Sequence, residues 1–179
     1  MFVQTEITPN PNSLKFLPGK IVSNQGSFEI VKKDKTNNEL IRNLLSVNGV
    51  ESIFLGTDFI SVNKNDDTSW DEIKHIAISL INDFYASGKD SVIKKNLDEE
   101  KKDLKEIEKK IVKILAEKIR PAVAKDGGDI KFKEFKDGVV KVQLQGSCSG
   151  CPSSTLTLKQ GVQNLLCHYL PEVKEVISI

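Results

Sequence analysis

The stretch that decides the fold is VKVQLQGSCSGCPSS, residues 140–154, in which a Cys-x-x-Cys pair separates two contrasting patterns. Before the pair, three apolar residues alternate with polar ones, which is typical of a strand with one buried face. After the pair, Pro152 has no amide hydrogen to leave unbonded, so it suits the first turn of a helix. The sequence therefore predicts a strand, an exposed loop carrying Cys148 and Cys151, and a helix.

The residues around this stretch predict a small domain, 103–179, with the element order α-β-β-α-β. Its first helix has apolar residues at a period of 3.6, and Pro121 is expected to end or kink it. The turn Lys136-Asp137-Gly138 predicts a hairpin, Pro171 stops the second helix, and 173–179 form a last strand. The first strand of the hairpin has apolar residues that do not keep one alternation: Ile130, Phe132 and Phe135. The buried face of the second helix is expected to hold Leu158, Val162, Leu165 and Tyr169.

Residues 1–86 predict another small α+β domain, so the fold class is α+β with two such domains. Its elements are expected to be, in order, strands at 2–7 and 13–17, a helix over 37–47, a hairpin around 56–58 and a helix from Ser69. The Pro-Asn-Pro-Asn stretch at 9–12 has two interpretations, a rigid turn between strands or a docking surface. Residues 87–102 are charged and poor in apolar side chains, which favours a solvated linker between the domains.

The composition excludes several classes of protein. Acidic and basic residues nearly cancel to a formal net charge of +1, which argues against a nucleic-acid partner. The sequence contains no run of about 18 apolar residues, so no membrane span is predicted. The first residues resemble no export or organelle signal, and three cysteines without one argue against a disulfide framework. We expect a bacterial cytoplasmic protein, with the mitochondrial matrix after leader removal as the alternative.

The cysteine pair leaves three chemistries open. Amides and the dipole at a helix start favour the thiolate form of nearby cysteines. A [4Fe–4S] cluster or a structural zinc ion needs about four protein ligands, whereas a dithiol–disulfide redox site needs only two. Cys148 and Cys151 therefore form either half of a metal site or a whole redox site.

The other candidate ligands are badly placed to complete a metal site. Cys167 and His168 lie at the far end of the helix after the pair, roughly 20 Å away at the rise of an α-helix. His75 belongs to the first domain. The missing ligands must then come from a second copy or a partner protein. The stretch Asp126-Gly127-Gly128-Asp129 has two interpretations, a wall next to a bound cluster or a turn from helix to strand, and the turn is favoured for its two carboxylates. No catalytic residue is expected.

The chain resembles the Nfu proteins, which share a C-terminal domain with NifU. In the second domain the resemblance rests on residues 120–123, 126–129, 140–146, 148–159 and 171–176, and in the first on 5–6, 8–19 and 56–60. It implies a non-enzymatic iron–sulfur scaffold or carrier that holds a [4Fe–4S] cluster between two chains, with Cys148 and Cys151 of each chain as ligands. The implied partners are a second copy in the cluster-bound homodimer, upstream cluster assembly proteins and recipient apo-proteins. A thiol–disulfide oxidoreductase and a zinc-bridged dimer remain the alternatives.

Overall fold

The computed structural model describes residues 2–92, 103–149 and 152–179 of the chain. The chain divides into two compact units, Met1–Leu97 and Asp98–Ile179. Helices and strands are mixed in both units, so the predicted α+β fold class is confirmed. In the part of the chain that the structure describes, no helix is long and apolar enough to cross a membrane.

The first unit is a sheet covered by two helices. Its elements are β1 (Gln4–Ile7), β2 (Ser13–Leu17), β3 (Phe28–Val31), α1 (Glu39–Ser46), β4 (Val50–Leu55), β5 (Ile60–Lys64) and α2 (Trp70–Ala86). The described strands pair antiparallel in the order β1-β2-β5-β4-β3. Apolar side chains of the sheet and of both helices share one core, which includes Phe16, Ile53, Leu44 and Ile81.

The Pro-Asn-Pro-Asn stretch is held by hydrogen bonds on several sides. The amide of Asn12 donates to Oδ1 of Asn10 at 2.9 Å, and the hydroxyl of Thr8 donates to the Asn10 carbonyl at 2.9 Å. From the start of α2, the indole nitrogen of Trp70 donates to the carbonyl of Pro11 at 2.9 Å. These bonds favour the interpretation of this stretch as a rigid turn.

The chain after α2 is packed against the first unit for longer than the sequence indicates. Ser91 and Val92 are buried, and the Val92 amide donates to the carbonyl of Val22 at 2.9 Å. The side-chain amide of Asn38 donates to the carbonyl of Val92 at 2.5 Å. The expectation of a solvated linker from residue 87 is therefore wrong at Ser91 and Val92, because the side chain of Val92 packs into the core of the first unit. The rest of the proposed linker, 93–102, lies outside the described residues, and the domain limits stay a prediction.

The second unit follows the predicted order α-β-β-α-β. Its elements are α3 (Glu106–Ile114), a π-helical turn (Leu115–Ile119), α4 (Arg120–Lys125), β6 (Gly128–Lys136), β7 (Val139–Gly146), α5 (Pro152–Tyr169) and β8 (Glu175–Ser178). The described strands are ordered β6-β7-β8; β6 and β7 are antiparallel, whereas β7 and β8 are parallel. Since parallel strands need a crossover connection, α5 spans the distance between the ends of β7 and β8. The helices and the sheet enclose a core that includes Ile111, Val140 and Leu166.

Pro121 does not end the helix before it. The helical path runs from α3 through the π-helical turn into α4, where Pro121 is the second residue. A proline inside an α-helix removes one hydrogen bond and collides with the carbonyl four residues earlier. A wider π-helical turn directly before the proline changes the hydrogen-bonding partners there, so the chain can stay helical.

A β-bulge explains the irregular apolar pattern of β6. The register shifts between Phe132 and Glu134, so that Phe132 lies opposite Val142 and Phe135 opposite Val140. One extra residue in β6 restores the packing of Phe135 on the core side. The hairpin turn that follows has positive φ at Asp137, which is typical of a two-residue turn of this kind.

The buried face of α5 differs from the predicted one by its last residues. Tyr169 is half exposed, whereas Leu166 and Leu170 are buried in the core. Cys167 is partly buried and packs against the same core. The spacing of four residues from Leu158 through Val162 continues to Leu166 and Leu170, and this row defines the face.

Candidate metal centre

Cys148 lies two residues beyond the end of β7 and is buried. Its residue surface is 6% exposed, and its side chain belongs to the core of the second unit. The expectation of an exposed loop is therefore wrong at this position. The chain turns directly after β7, where Gly146 has a φ of +67°, and this turn brings the side chain of Cys148 onto the core.

Gly128, on the neighbouring strand β6, leaves the space that the sulfur of Cys148 occupies. In the register of β6 and β7, Gly128 pairs with Gly146. A Cβ atom at Gly128 would lie 2.8 Å from the sulfur of Cys148 and 2.6 Å from the carbonyl oxygen of Gln145. Both distances are too short for any side chain, so the cysteine can take this place only because residue 128 is glycine.

Two bonds join the cysteine loop to the turn before β6. The amide of Ser147 donates to the carbonyl of Gly127 at 3.2 Å, and its hydroxyl donates to the carbonyl of Asp126. Ser147 is itself buried. The loop and the Asp126-Gly127 turn are therefore joined by hydrogen bonds, and the turn holds the residue that precedes Cys148 in place.

The loop also closes on itself and onto α5. Both the amide and the hydroxyl of Ser149 donate to the carbonyl of Gly146, at 3.1 and 2.8 Å. The hydroxyl of Thr155, in the first turn of α5, donates to the carbonyl of Cys148 at 3.4 Å. The backbone on either side of the cysteine is thus positioned before any ligand binds.

Asp129 has a structural partner. Its carboxylate accepts two hydrogen bonds from the guanidinium of Arg120, each 2.9 Å long, and a third of 2.8 Å from the amide of Ile130. The side chain of Asp129 is 7% exposed and that of Arg120 is 44% exposed. The bidentate pair ties the start of α4 to the start of β6, so Asp129 has a structural role, although it is the second residue of β6 and not part of the turn before it.

The remaining candidate residues lie on helices or outside the described part of the chain. Cys151 lies outside the described residues. His168 is exposed near the end of α5, and His75 is exposed on α2 of the first unit. Among the residues that the structure describes, no group of three or more cysteine, histidine or acidic side chains is arranged to hold a metal ion.

Sequence reasoning missed two residues of this site. It interpreted 126–129 either as a wall next to the cluster or as a turn without identifying the contact between Gly128 and Cys148, and it assigned no role to Ser147. The doubled glycine of Asp-Gly-Gly-Asp was the available signal, because one glycine is enough for a turn and the second indicates close approach of another group. No comparable signal marks Ser147.

Two family comparisons cover most of the chain. Residues 3–88 match the family described as "Scaffold protein Nfu/NifU N terminal", and residues 111–177 match the family described as "NifU-like domain". A solution NMR structure of a NifU-like protein from Saccharomyces cerevisiae is similar with a TM-score of 0.49 and 30% identity, over 52% of this chain and 85% of that one.

Curated relatives match over the whole length of the chain. It is 43% identical to the human protein named "NFU1 iron-sulfur cluster scaffold homolog, mitochondrial", over all of this chain and 72% of that protein. It is 42% identical to "NifU-like protein 4, mitochondrial" of Arabidopsis thaliana, over 98% of this chain and 65% of that protein. The chain thus spans about two thirds of the length of these relatives. It belongs to the Nfu/NifU scaffold protein family.

Proposed function

We propose that this protein is a scaffold and carrier of iron–sulfur clusters that binds a [4Fe–4S] cluster through Cys148 and Cys151. The cluster is cargo: it is received from upstream assembly proteins and passed to apo-proteins that need it. The observation that carries the proposal is the thiol of Cys148, positioned on Gly128 in a chain whose human relative is named an iron–sulfur cluster scaffold. Several of the relatives are named mitochondrial, which favours the matrix over a bacterial cytoplasm.

The donor chemistry of the site fits such a cargo. Thiolates are the soft ligands that iron–sulfur clusters take from proteins. The bonds from Ser149 and Thr155 hold the backbone around Cys148 in the empty chain, and because its sulfur is buried, this loop must open before Cys148 can ligate a cluster. Glycine at position 128 leaves the sulfur no bulky neighbour on that side.

Two copies of the chain are needed for a complete ligand set. One chain offers two cysteines within a single loop, and about four thiolates hold a [4Fe–4S] cluster. A cluster shared by two chains lies at a subunit boundary, where separation of the chains removes half of its ligands. Recipient cysteines can then replace these ligands one at a time. This transfer is ligand exchange and needs no acid, base or nucleophile from the protein.

Anaerobic reconstitution with iron and sulfide tests the binding and the stoichiometry. We expect a brown protein with broad visible absorption, one [4Fe–4S] cluster for two chains, and twice the chain mass by light scattering. A complete cluster on a single chain, without added thiol, would contradict the shared site. A colourless protein with bound zinc, or a Cys148–Cys151 disulfide that turns over with thiol substrates, would support one of the alternatives.

Three serine variants test the ligands. Cys148→Ser and Cys151→Ser should each abolish cluster binding, whereas the matched control Cys167→Ser should bind iron and sulfide like the original chain. Because Cys148 is buried, Cys148→Ser should also lower the free energy of unfolding, by about 1 kcal/mol. Loss of the cluster in Cys167→Ser with retention in Cys148→Ser would show that the ligands are wrongly assigned.

A transfer assay tests delivery. The loaded protein is mixed with an apo-enzyme that requires a [4Fe–4S] cluster, in the presence of a chelator for free iron. We expect activation that the chelator does not block and that is faster than with equal amounts of free iron and sulfide. If the chelator prevents all activation, the protein stores a cluster without delivering it.

A further inference from the structure

From Thr155 onwards, where its side chains are described, the outward face of α5 carries no Asp, Glu, Lys or Arg. Among the described side chains of this helix, the exposed residues that make up this face are Leu156, Thr157, Gln160, Gly161, Asn164 and His168. At 100° per residue they fall within one continuous arc, opposite the row that packs on the core. We call this arc the α5 outer face.

The absence of charge on this face is unusual for this protein. Asp, Glu, Lys and Arg make up 28% of the whole chain. The exposed residues of α3 in the same unit are, by contrast, all charged: Glu106, Lys109, Lys110 and Lys113. Depletion of charged residues is the compositional mark of the buried centre of a protein interface.

The residue types at two positions of the α5 outer face are not explained by contacts within a single copy of the chain. Leu156 is 71% exposed although it is a large apolar side chain. Gly161 lies inside the helix, where glycine is less stable than alanine, and a Cβ atom there would have no neighbour within 4 Å. An exposed leucine and an unforced glycine are both explained if another backbone approaches this face closely.

We propose that the α5 outer face binds the α5 helix of a second copy, in parallel orientation, when two chains share a cluster. This inference rests on the proposed function, because the shared ligand set is what identifies the occupant as a second copy. The cysteine loop leads directly into α5, and Leu156 is only four residues, about 6 Å, beyond Pro152. The face is therefore continuous with the point at which the two chains must meet.

The geometry of a shared cluster selects the parallel arrangement. A two-fold axis through the cluster places both cysteine loops at the same end of the helix pair. Helices that pack side by side have axes about 8–10 Å apart, a spacing that suits two loops gripping one cluster. Antiparallel helices crossing at Gly161 would instead separate the loops by roughly 27 Å, twice the rise from Pro152 to Gly161.

The cluster itself offsets the electrostatic cost of this arrangement. Parallel helices place two positive dipole ends next to each other, which is unfavourable in isolation. A cluster held by four thiolates carries negative charge, and it would lie at both of these ends. Association through the α5 outer face is therefore favoured in the loaded protein over the empty one.

The test measures dimerisation of the full chain after anaerobic reconstitution. Gly161→Glu introduces bulk and like charge at the proposed contact, and Leu156→Gln removes the apolar side chain without adding charge. The matched control is Ile179→Glu, which adds the same charge at an apolar residue of the same unit that is 64% exposed and lies outside the α5 outer face. Sedimentation velocity over a concentration series gives the dissociation constant of each loaded dimer.

We expect the dissociation constant to rise at least ten-fold for Gly161→Glu and at least three-fold for Leu156→Gln, and to stay within two-fold for Ile179→Glu. The empty Gly161→Glu chain should melt no lower than the original chain, because glutamate favours helix more than glycine does. This melting temperature separates a lost contact from a lost fold.

Two results would overturn the inference while leaving the proposed function intact. In the first, Gly161→Glu and Leu156→Gln dimerise around a cluster as tightly as the original chain does. In the second, they dimerise normally but no longer activate a recipient apo-enzyme, which assigns the face to the recipient. An original chain that binds no iron and sulfide, or that holds a whole cluster as a monomer, would instead refute the proposed function.

Discussion

Gly128 lies where any side chain would collide with the cysteine that we propose as a ligand. We expect Gly128→Ala to lower the free energy of unfolding by about 1–3 kcal/mol, because a Cβ atom would be forced against the Gln145 carbonyl and the Cys148 sulfur. The same displacement should reduce the iron and sulfide bound after reconstitution. Chemical denaturation and metal analysis of the variant measure the two effects.

The matched control for this variant is Gly161→Ala, a glycine in the same unit with open space around it. It should raise the free energy of unfolding of the empty chain by about 0.5–1 kcal/mol, since alanine is the better helix former. Equal effects of the two substitutions would mean that the contact between Gly128 and Cys148 has no energetic weight.

Tyr85 gives the first unit a pH dependence in the alkaline range. The residue is buried and its hydroxyl donates to the carbonyl of Ile21 at 3.0 Å. Burial raises its pKa from 10.0 to about 12. Above pH 10 the unfolded chain loses this proton while the folded chain keeps it, so the stabilisation present below pH 10 is lost progressively towards pH 12. The free energy of unfolding, measured by denaturation at each pH in this range, should decrease more steeply with pH for the original chain than for Tyr85→Phe. Equal slopes would contradict this assignment.

The identity of the candidate ligands could be proposed from the sequence, but the environment of Cys148 could not. The spacing of the pair and the glycines around it indicate a loop that approaches a ligand. Whether the side chain of a residue just past a strand points to solvent or into the core depends on the space that the neighbouring strand leaves for it. Here the space is provided by Gly128, which lies twenty residues earlier in the chain.

Among the elements, those with strong periodicity were predicted and those with irregular hydrogen bonding were not. The alternation of β7 and the helical spacing of α2 are visible in the sequence. Strand β3 was missed, because its four residues lie next to the charged stretch Lys32–Lys35 and all four are only partly buried. The bulge in β6 and the π-helical turn before Pro121 each depend on partners elsewhere in the fold, so no local pattern shows where the extra residue is accommodated.

Helix α1 offers a test of how the first unit holds the chain that follows it. Asn38 caps this helix by accepting from the amide of Ile41 at 3.1 Å, while its Nδ2 atom donates to the carbonyl of Val92. Asn38→Ala should lower the free energy of unfolding by about 1–2 kcal/mol through loss of the cap, with a further ~1 kcal/mol for the second bond. The amide of Val92 should then exchange its hydrogen faster.

Ser69→Ala is the control for this variant, because Ser69 caps α2 by accepting from the amide of Asp71 at 3.2 Å and, within the described part of the chain, its side chain makes no second bond to the residues after α2. Ser69→Ala should lower the free energy of unfolding by about 1 kcal/mol. The amide hydrogen of Val92 should exchange more slowly in this variant than in Asn38→Ala. If both variants change this exchange equally, Asn38 does not hold the segment.

At the scale of the whole molecule, the two units have separate cores. The core clusters of the described residues fall within one unit or the other. We therefore predict that residues 103–179 fold alone and bind a cluster, and that a protease at low concentration first cuts the full chain between 93 and 102. Circular dichroism, thermal melting and reconstitution of the isolated segment check the first part, and mass analysis of the early fragments checks the second. An isolated segment that stays unfolded would contradict the predicted independence.

The sequence supports the family and the fold class of the whole chain better than it supports the limits of its parts. Motifs from Thr5 to Val176 carry the resemblance, and the family assignment drawn from them is confirmed. The limit at residue 86 was drawn where apolar residues become sparse. That criterion passed over Val92, a single apolar residue among polar ones whose burial depends on Val22 and Asn38.

The burial of Cys148 has a consequence for the empty protein in air. Peroxide and oxygen-derived oxidants attack a thiol only when they can reach its sulfur, and a residue with 6% exposure is shielded most of the time. Damage at Cys148 should then be limited by how often the loop opens, so the rate of its modification should level off as the oxidant concentration rises. The proposed ligand Cys148 would in this way stay reduced in the protein that holds no cluster. Peptide mass analysis over a series of peroxide concentrations would reveal the plateau.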